Sequence, residues 1–354
     1  MSLPKSNRRQ FLRNSTTIGL GATGLGISSS TRAAESESTV SPKNADPPQD
    51  MKQNLMQCLG GDWPDPCDLK PTVTKTQQMD GYRLEWLSYE VEDGDRVPAI
   101  TLIPDAVKSS AAPAIVIWHQ HNGQWDLGKS EPAGLAGNAM HHTGVALAKL
   151  GYVVLCPDAL CFEERQDSQQ KLKGGAFERF EFLRYVVAGK SMAWKNILDM
   201  RRAVDYLVTR PEVDAQRIGC YGHSMGSTHT WMVGPWEPRL KCLVGNCCLP
   251  TYAAIHRTKL LHCFPNFVPG WEQFGDTPDI AGLIAPRRLH LNFGETDGGS
   301  PIKEVRLGVK QIAEIYTKGS AEDQFSYYIE PGTGHVLSDE MWRRTRNVFA
   351  DVLG

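Results

Sequence analysis

Short, nearly unbroken apolar runs recur through the chain at Ala114–Trp118, Tyr152–Cys156, Ile218–Tyr221, Leu240–Gly245, Leu289–Phe293 and Phe325–Ile329. Each is edged by turn or polar residues, which is the pattern of a strand covered on both faces. Between them, stretches of helical character at Gly144–Leu150, Ser191–Thr209, Met225–Val233, Ile302–Tyr316 and Glu340–Val352 predict helices. Strands that alternate with helices imply a parallel sheet sandwiched between helical layers. Ahead of this region, Tyr82–Val91 alternates polar and apolar residues. Val97–Ile103 follows after the turn-like Glu92-Asp93-Gly94-Asp95, so the two segments predict an antiparallel hairpin. The whole predicts an α/β fold with a mixed, mostly parallel sheet of roughly eight strands and helices on both faces.

Two segments interrupt the alternation. Residues 158–190 hold Cys161-Phe162-Glu163-Glu164-Arg165 and the pair Gly174-Gly175, and residues 249–278 are rich in Pro, Trp and Phe. Both leave carboxyl ends of strands, where open α/β sheets build their sites, so they are expected to cap a pocket. Residues 35–50 lack periodicity and carry Ser, Pro, Asn and acidic groups, as a disordered lead-in does. Residues 51–80 predict a short ordered extension, which leaves 81–354 as the main domain.

The first 34 residues predict an export signal. Ser6-Asn7-Arg8-Arg9-Gln10-Phe11-Leu12 resembles the twin-arginine consensus, a mildly apolar segment runs from Thr16 to Ile27, and small residues end at Ala34. The expectation is a bacterial protein folded before export by the twin-arginine translocase, ending in the periplasm or outside. Removal of this segment takes five basic and no acidic residues and moves the formal charge from −2 to −7. A mildly acidic surface offers no electrostatic footprint for nucleic acid. No apolar run after the N-terminus is long enough to span a bilayer.

The 354 residues include nine cysteines, an odd count. Cys58 and Cys67 lie in a Pro/Gly/Asp-rich segment and could bridge in an oxidising compartment. Most of the others fall in or beside strand patterns, as small buried hydrophobes do. No C-x-x-C pair or spaced Cys/His set suggests zinc.

Candidate chemistry centres on Gly222-His223-Ser224-Met225-Gly226, a G-x-S-x-G pentapeptide between a predicted strand and a predicted helix. There a serine hydroxyl is exposed on a tight turn at the sheet's carboxyl edge. Such a nucleophile needs a base, and the base needs an acid to orient it. His335 follows the last predicted strand through Pro331-Gly332-Thr333-Gly334, and imidazole titrates where a general base must. Asp297 lies in the turn after Leu289–Phe293, with Glu295 as its competitor. A tetrahedral intermediate also needs N–H donors: the amide of Met225 at the helix start, and one from His119-Gln120-His121-Asn122-Gly123, where His121 or Gln120 is expected. His119-x-His121 could alternatively be a metal pair, but no further spaced ligands accompany it.

In the order Ser224, Asp297, His335, over about residues 80–354, the chain resembles the α/β-hydrolase superfamily. It is most similar to the dienelactone-hydrolase-like and acetyl-xylan-esterase-like bacterial hydrolases. Further matching pieces are Trp118-His119-Gln120-His121, Gly151–Asp158, Arg210-Pro211-Glu212-Val213-Asp214 and Leu283-Ile284-Ala285-Pro286-Arg287. The resemblance implies an α/β-hydrolase fold with Ser224 as nucleophile, Asp297 as acid and His335 as base, needing no cofactor or metal. Two departures stand out: Ser227 replaces the small glycine often found after the elbow, and His119-Gln120 replaces a His-Gly pair in the oxyanion loop. Dienelactone hydrolases proper carry a cysteine nucleophile, so serine favours ordinary ester cleavage. The expected activity is that of a secreted serine esterase, with carbohydrate esters as one substrate class. Trp125, Trp236 and Trp271 are candidate sugar-stacking residues. A peptidase or acyltransferase on the same fold, or a non-catalytic binding protein, are the alternatives.

Overall fold

The computed structural model describes residues 48–107 and 111–354. The predicted export signal and most of the lead-in lie outside the described residues. Among the described residues nine strands form one sheet, one more than the hydrophobic pattern predicts. They are β1 (Thr72–Gln78), β2 (Tyr82–Glu92), β3 (Asp95–Pro104), β4 (Ala112–Trp118), β5 (Val153–Pro157), β6 (Val213–His223), β7 (Leu240–Asn246), β8 (Arg288–Gly294) and β9 (Phe325–Glu330). The helices are α1 (Pro48–Leu59), α2 (Thr143–Lys149), α3 (Gly175–Val187), α4 (Met192–Val208), α5 (Met225–Val233), α6 (Tyr252–Thr258), α7 (Thr277–Gly282), α8 (Ile302–Lys318) and α9 (Asp339–Leu353).

Sheet order is β1-β2-β3-β5-β4-β6-β7-β8-β9. The hairpin β2–β3 is antiparallel, and from β5 to β9 neighbouring strands run parallel. Strand β1 escapes the sequence pattern because all seven of its residues are exposed at the sheet edge, paired only with β2. Successive strands run outward from β4 toward β5 in one direction and from β6 to β9 in the other. The connections after β4 and after β6 therefore diverge and leave a crevice at the carboxyl ends of these two strands. Trp118 at the end of β4 pairs with Gly222 near the end of β6, so the His119–Gly123 loop and Ser224 emerge side by side.

Alternate residues of each inner strand feed two cores, as period-two geometry requires. Ala114, Val116, Val153 and Leu155 pack beneath α4, α5 and α8, where α1 adds Leu55 and Leu59. Ile115, Ile117, Val154 and Cys156 pack beneath α2 and α9. The two interrupting segments carry helices of their own, α3 in the first and α6 in the second. They meet in a third cluster, in which Phe162, Met192 and Met225 are buried against Trp125, Phe177, Phe182 and Phe264. All nine cysteines are free thiols, so the suggested Cys58–Cys67 bridge is absent. Cys58 lies beside Gly270 and Cys67 beside Arg202.

Several histidines are buried in neutral form, because desolvation disfavours the imidazolium. Burial lowers the pKa of His119 and His290 to about 4 and that of His229 to about 3. A lowered folded-state pKa means that the unfolded chain takes up the proton first. The stability involved is fully present above about pH 6.5 and is lost as pH falls from there toward 4. Between pH 7 and 5 the loss is on the order of 1–2 kcal/mol per histidine. The urea midpoint is expected to drop over this window; a midpoint unchanged down to pH 5 would contradict neutral burial.

Candidate active site

Ser224 occupies the turn between β6 and α5 with φ 58° and ψ −118°, in a region L-residues enter only when neighbours enforce it. Its amide donates to the Asn246 carbonyl at 2.8 Å, which ties the turn to the end of β7. Two glycines make the turn sterically feasible. A Cβ at Gly226 would lie 1.9 Å from the Trp118 carbonyl oxygen, and one at Gly222 would lie 2.0 Å from the Gly226 carbonyl oxygen. Both obstacles are backbone. Gly226→Ala must therefore push α5 away from β4, at a cost of about 3 kcal/mol or more. It is expected to lower the melting temperature and abolish activity together, and a wild-type melting temperature would refute the close approach.

The serine after the elbow is accommodated. Ser227 is fully buried, donates to the Cys248 carbonyl at 3.2 Å, and faces Gly245, where a Cβ would sit 2.4 Å from its hydroxyl oxygen.

The structure brings three predicted residues together. His335 Nε2 is 2.8 Å from Ser224 Oγ, and His335 Nδ1 is 2.8 Å from Asp297 Oδ2. A carboxylate can only accept, so Nδ1 carries the proton and Nε2 is left to accept from the serine hydroxyl. Asp297 is buried at 3% exposure, and its other oxygen accepts from the Gly299 amide at 2.7 Å. The loops that carry Asp297 and His335 are stitched together by backbone bonds, Thr296 N–H to Thr333 carbonyl at 2.8 Å and Glu295 N–H to Glu330 carbonyl at 3.0 Å. Glu295 itself points elsewhere: its carboxylate accepts from the Gly332 amide and pairs with Arg306.

A further support comes from the second inserted segment. His262 accepts at Nδ1 from the Cys263 amide at 3.0 Å and from Asn266 Nδ2, which leaves Nε2–H to donate to the Gly299 carbonyl at 3.2 Å. Burial lowers its pKa to about 4, so it stays neutral beside His335. His223, the variable residue of the pentapeptide, packs edge-on against His335 with centroids 5.1 Å apart. Its Nδ1 accepts from Asn246 Nδ2 at 2.8 Å, and burial drives its pKa well below the usual value. Neither ring places a positive charge beside the imidazolium that a reaction would form.

Met225 is the first residue of α5, so its N–H lies ahead of the intrahelical ladder. Among the described residues, the amides of Gln120 and His121 have no hydrogen-bond acceptor. The side chains of this loop are committed. Gln120 Nε2 donates to Glu131 Oε2 at 2.9 Å. His119 donates from Nδ1 to the Gln120 carbonyl at 2.8 Å and accepts at Nε2 from the Ala159 amide at 3.0 Å, so both nitrogens that a His119–His121 metal pair could offer at residue 119 are used. His121 Nδ1 accepts from the Gly123 amide, and Nε2–H donates to Glu178 Oε2 at 2.9 Å. Trp125 Nε1 donates to the same oxygen at 2.8 Å. Glu178 sits on α3, so the first inserted segment grips the loop after β4. No motif marks Glu178 or His262, whose roles arise only from the folded insertions.

Of the three tryptophans, only Trp125 reaches the site, with its ring laid against Gly174 and Gly175. Trp236 is buried edge-on against Trp63, and Trp271 is fully buried with Nε1 donating to the Asp276 carbonyl. These two are core residues, not sugar platforms.

Residues 98–246 match the model of the dienelactone hydrolase family. The chain is 28% identical over 288 residues to YtaP of Bacillus subtilis (strain 168), named as a hydrolase, covering 80% of this chain and 92% of that protein. Among solved structures it is similar to a glucuronoyl esterase from Solibacter usitatus (TM-score 0.63, 16% identity, 87% of this chain and 92% of the other). It is also similar to acetyl xylan esterase 1 from Thermoanaerobacterium (TM-score 0.60, 14% identity, 88% and 95%).

Proposed function

We propose that this chain, whose residues 98–246 match the model of the dienelactone hydrolase family, is a serine esterase that cleaves carboxylic esters through an acyl-enzyme on Ser224. The observation that carries this is the linear array from Ser224 through His335 to Asp297, with both contacts at 2.8 Å and one tautomer allowed.

In this mechanism His335 Nε2 takes the hydroxyl proton as Ser224 Oγ attacks the ester carbonyl. Asp297 holds the ring in the Nδ1–H form and stabilises the imidazolium. The oxyanion accepts from the Met225 amide and from that of Gln120 or His121, each worth about 3 kcal/mol to the transition state. The imidazolium then protonates the leaving alcohol, and water repeats the cycle to release the acid.

Two further parts of the reading go beyond the chemistry. The substrate is an ester borne on carbohydrate, a class supported by similarity to acetyl xylan and glucuronoyl esterases, with Trp125 at the site. The inserted segments 158–190 and 249–278 act as the cap that selects it. The protein is exported folded through the twin-arginine route, a reading supported by residues 6–34. No helix among the described residues is long and apolar enough to cross a membrane.

The mature protein, incubated with a fluorophosphonate probe and short-chain p-nitrophenyl esters, is expected to label at Ser224 and to turn over the esters. Absence of both sinks the enzyme reading, and labelling mapped to another serine sinks the mechanism. Acetylated xylan beside a peptide panel tests the substrate class, since preferential peptide cleavage would favour a peptidase.

A further inference from the structure

The carboxyl ends of three neighbouring strands converge on one point. Cys247 follows β7, Asp297 follows β8 and His335 follows β9, and their ligating atoms all lie within 4.8 Å of one another. We infer that the Cys247 thiol, a carboxylate oxygen of Asp297 and Nδ1 of His335 form a reversible inhibitory site for a thiophilic divalent cation such as zinc or cadmium. The consequence for hydrolysis rests on the triad reading above; the metal binding does not.

The donor set suits such an ion. A thiolate, a carboxylate and a neutral imidazole balance a 2+ charge, and one sulfur with one nitrogen selects zinc-like metals over magnesium or calcium. Tetrahedral bonds of about 2.3 Å to sulfur and 2.0–2.1 Å to nitrogen and oxygen place ligand atoms roughly 3.3–3.5 Å apart, so Asp297 Oδ2 and His335 Nδ1, now 2.8 Å apart, have to open by about 0.5 Å as the cation replaces their shared proton. Its outer contacts are in place. Asn246 Nδ2 donates to Cys247 Sγ at 3.3 Å, and the Gly299 amide holds the second Asp297 oxygen. Such partners orient ligands; Cys247 Sγ–H itself donates to the Val336 carbonyl at 3.3 Å, a bond the cation breaks when it displaces the thiol proton.

Two comparable groupings among the described residues are already answered by cations. Lys129 Nζ pairs with Asp158, Glu163 and Glu164. Glu90, beside Cys67 and Asp93, pairs with Lys70 and Arg96. Among the described residues, no basic side chain other than His335 itself forms an ion pair with the Cys247 trio. Sequence spacing could not show it, since the ligands are 50 and 38 residues apart and meet only through parallel strand register.

The proton balance explains the inhibition. On binding, the cation forms bonds to sulfur, oxygen and Nδ1. The thiol proton leaves to solvent, and the Nδ1 proton moves to Nε2. The imidazole then presents N–H to Ser224 and can no longer accept the hydroxyl proton. Chelation reverses every step.

The test uses the mature protein and p-nitrophenyl acetate, with each rate divided by the same variant's rate in EDTA. Zinc is expected to inhibit the wild type reversibly. The half-inhibitory concentration should rise at least tenfold in Cys247→Ser and in Cys247→Ala, while Cys67→Ser follows the wild-type curve. Superimposed curves for the wild type and both Cys247 variants would overturn the site. Cadmium titration, followed by thiolate charge-transfer absorption in a Cys67→Ser background, reads binding without catalysis. One equivalent lost on Cys247→Ser supports the site even if the protein hydrolyses no ester. Ester hydrolysis without a Cys247-dependent band overturns the site and leaves the esterase reading intact.

Discussion

Ser224→Ala is expected to fold normally and to lose about 10⁶-fold in kcat on an activated ester, roughly 8 kcal/mol of barrier. The fold survives because the forced φ of 58° is set by the Asn246 contact and the two glycines, and alanine carries the same Cβ. What disappears is the oxygen that lies 2.8 Å from His335 Nε2. No neighbouring hydroxyl substitutes, since Ser227 is committed to the Cys248 carbonyl. Residual rate should come from the oxyanion amides alone, about 10³-fold over water. Stopped-flow or long-incubation kinetics with p-nitrophenyl acetate, beside a thermal melt, checks both parts. Activity within tenfold of wild type would remove Ser224 from the mechanism.

Asp297→Asn carries the second-largest effect, about 10⁴-fold in kcat. The carboxylate now accepts on both oxygens, from His335 Nδ1–H and from the Gly299 amide. An asparagine that keeps the Gly299 contact turns its NH₂ toward His335. Nδ1 must then accept, and the proton moves to Nε2, where it blocks uptake from Ser224. The shape of the site is unchanged, so the melting temperature should move little while kcat collapses. Glu295→Gln is the matched control and should stay within a few-fold of wild type, because that carboxylate faces Gly332 and Arg306. A larger loss at Glu295 than at Asp297 would reverse the assignment of the acid.

The features legible in the sequence share a physical basis. Runs such as Ala114–Trp118 are apolar on both faces because helices cover both, and that covering fixes the central strands. Ser224, Asp297 and His335 are legible because each lies in the connection that follows an apolar run, although β9, ahead of His335, is an edge strand and mostly not buried. Strand β1 is not legible, since an edge strand whose residues are all exposed has no burial pattern to print. The insertions stayed opaque for another reason. Helix α3 turns Phe180, Leu183 and Val187 to solvent, which blurs its apolar stripe. Glu178 and His262 gain their partners only across long chain separations. The His119–Gly123 loop lies between these cases: its place follows from β4, but its histidine and glutamine side chains are anchors within the protein.

The chain of contacts from His262 through Gly299 to Asp297 bears on how such a protein diversifies. The segment proposed to cap the site also supports Asp297, through the Gly299 contacts. Exchanging residues 249–278 between relatives, as one would trade a specificity module, therefore also removes a prop of the acid loop. If the insert selects the substrate as proposed, a graft that keeps its turnover has to carry the Asp297–Ser300 turn with the donor's insert, and the unit of inheritance is two loops long.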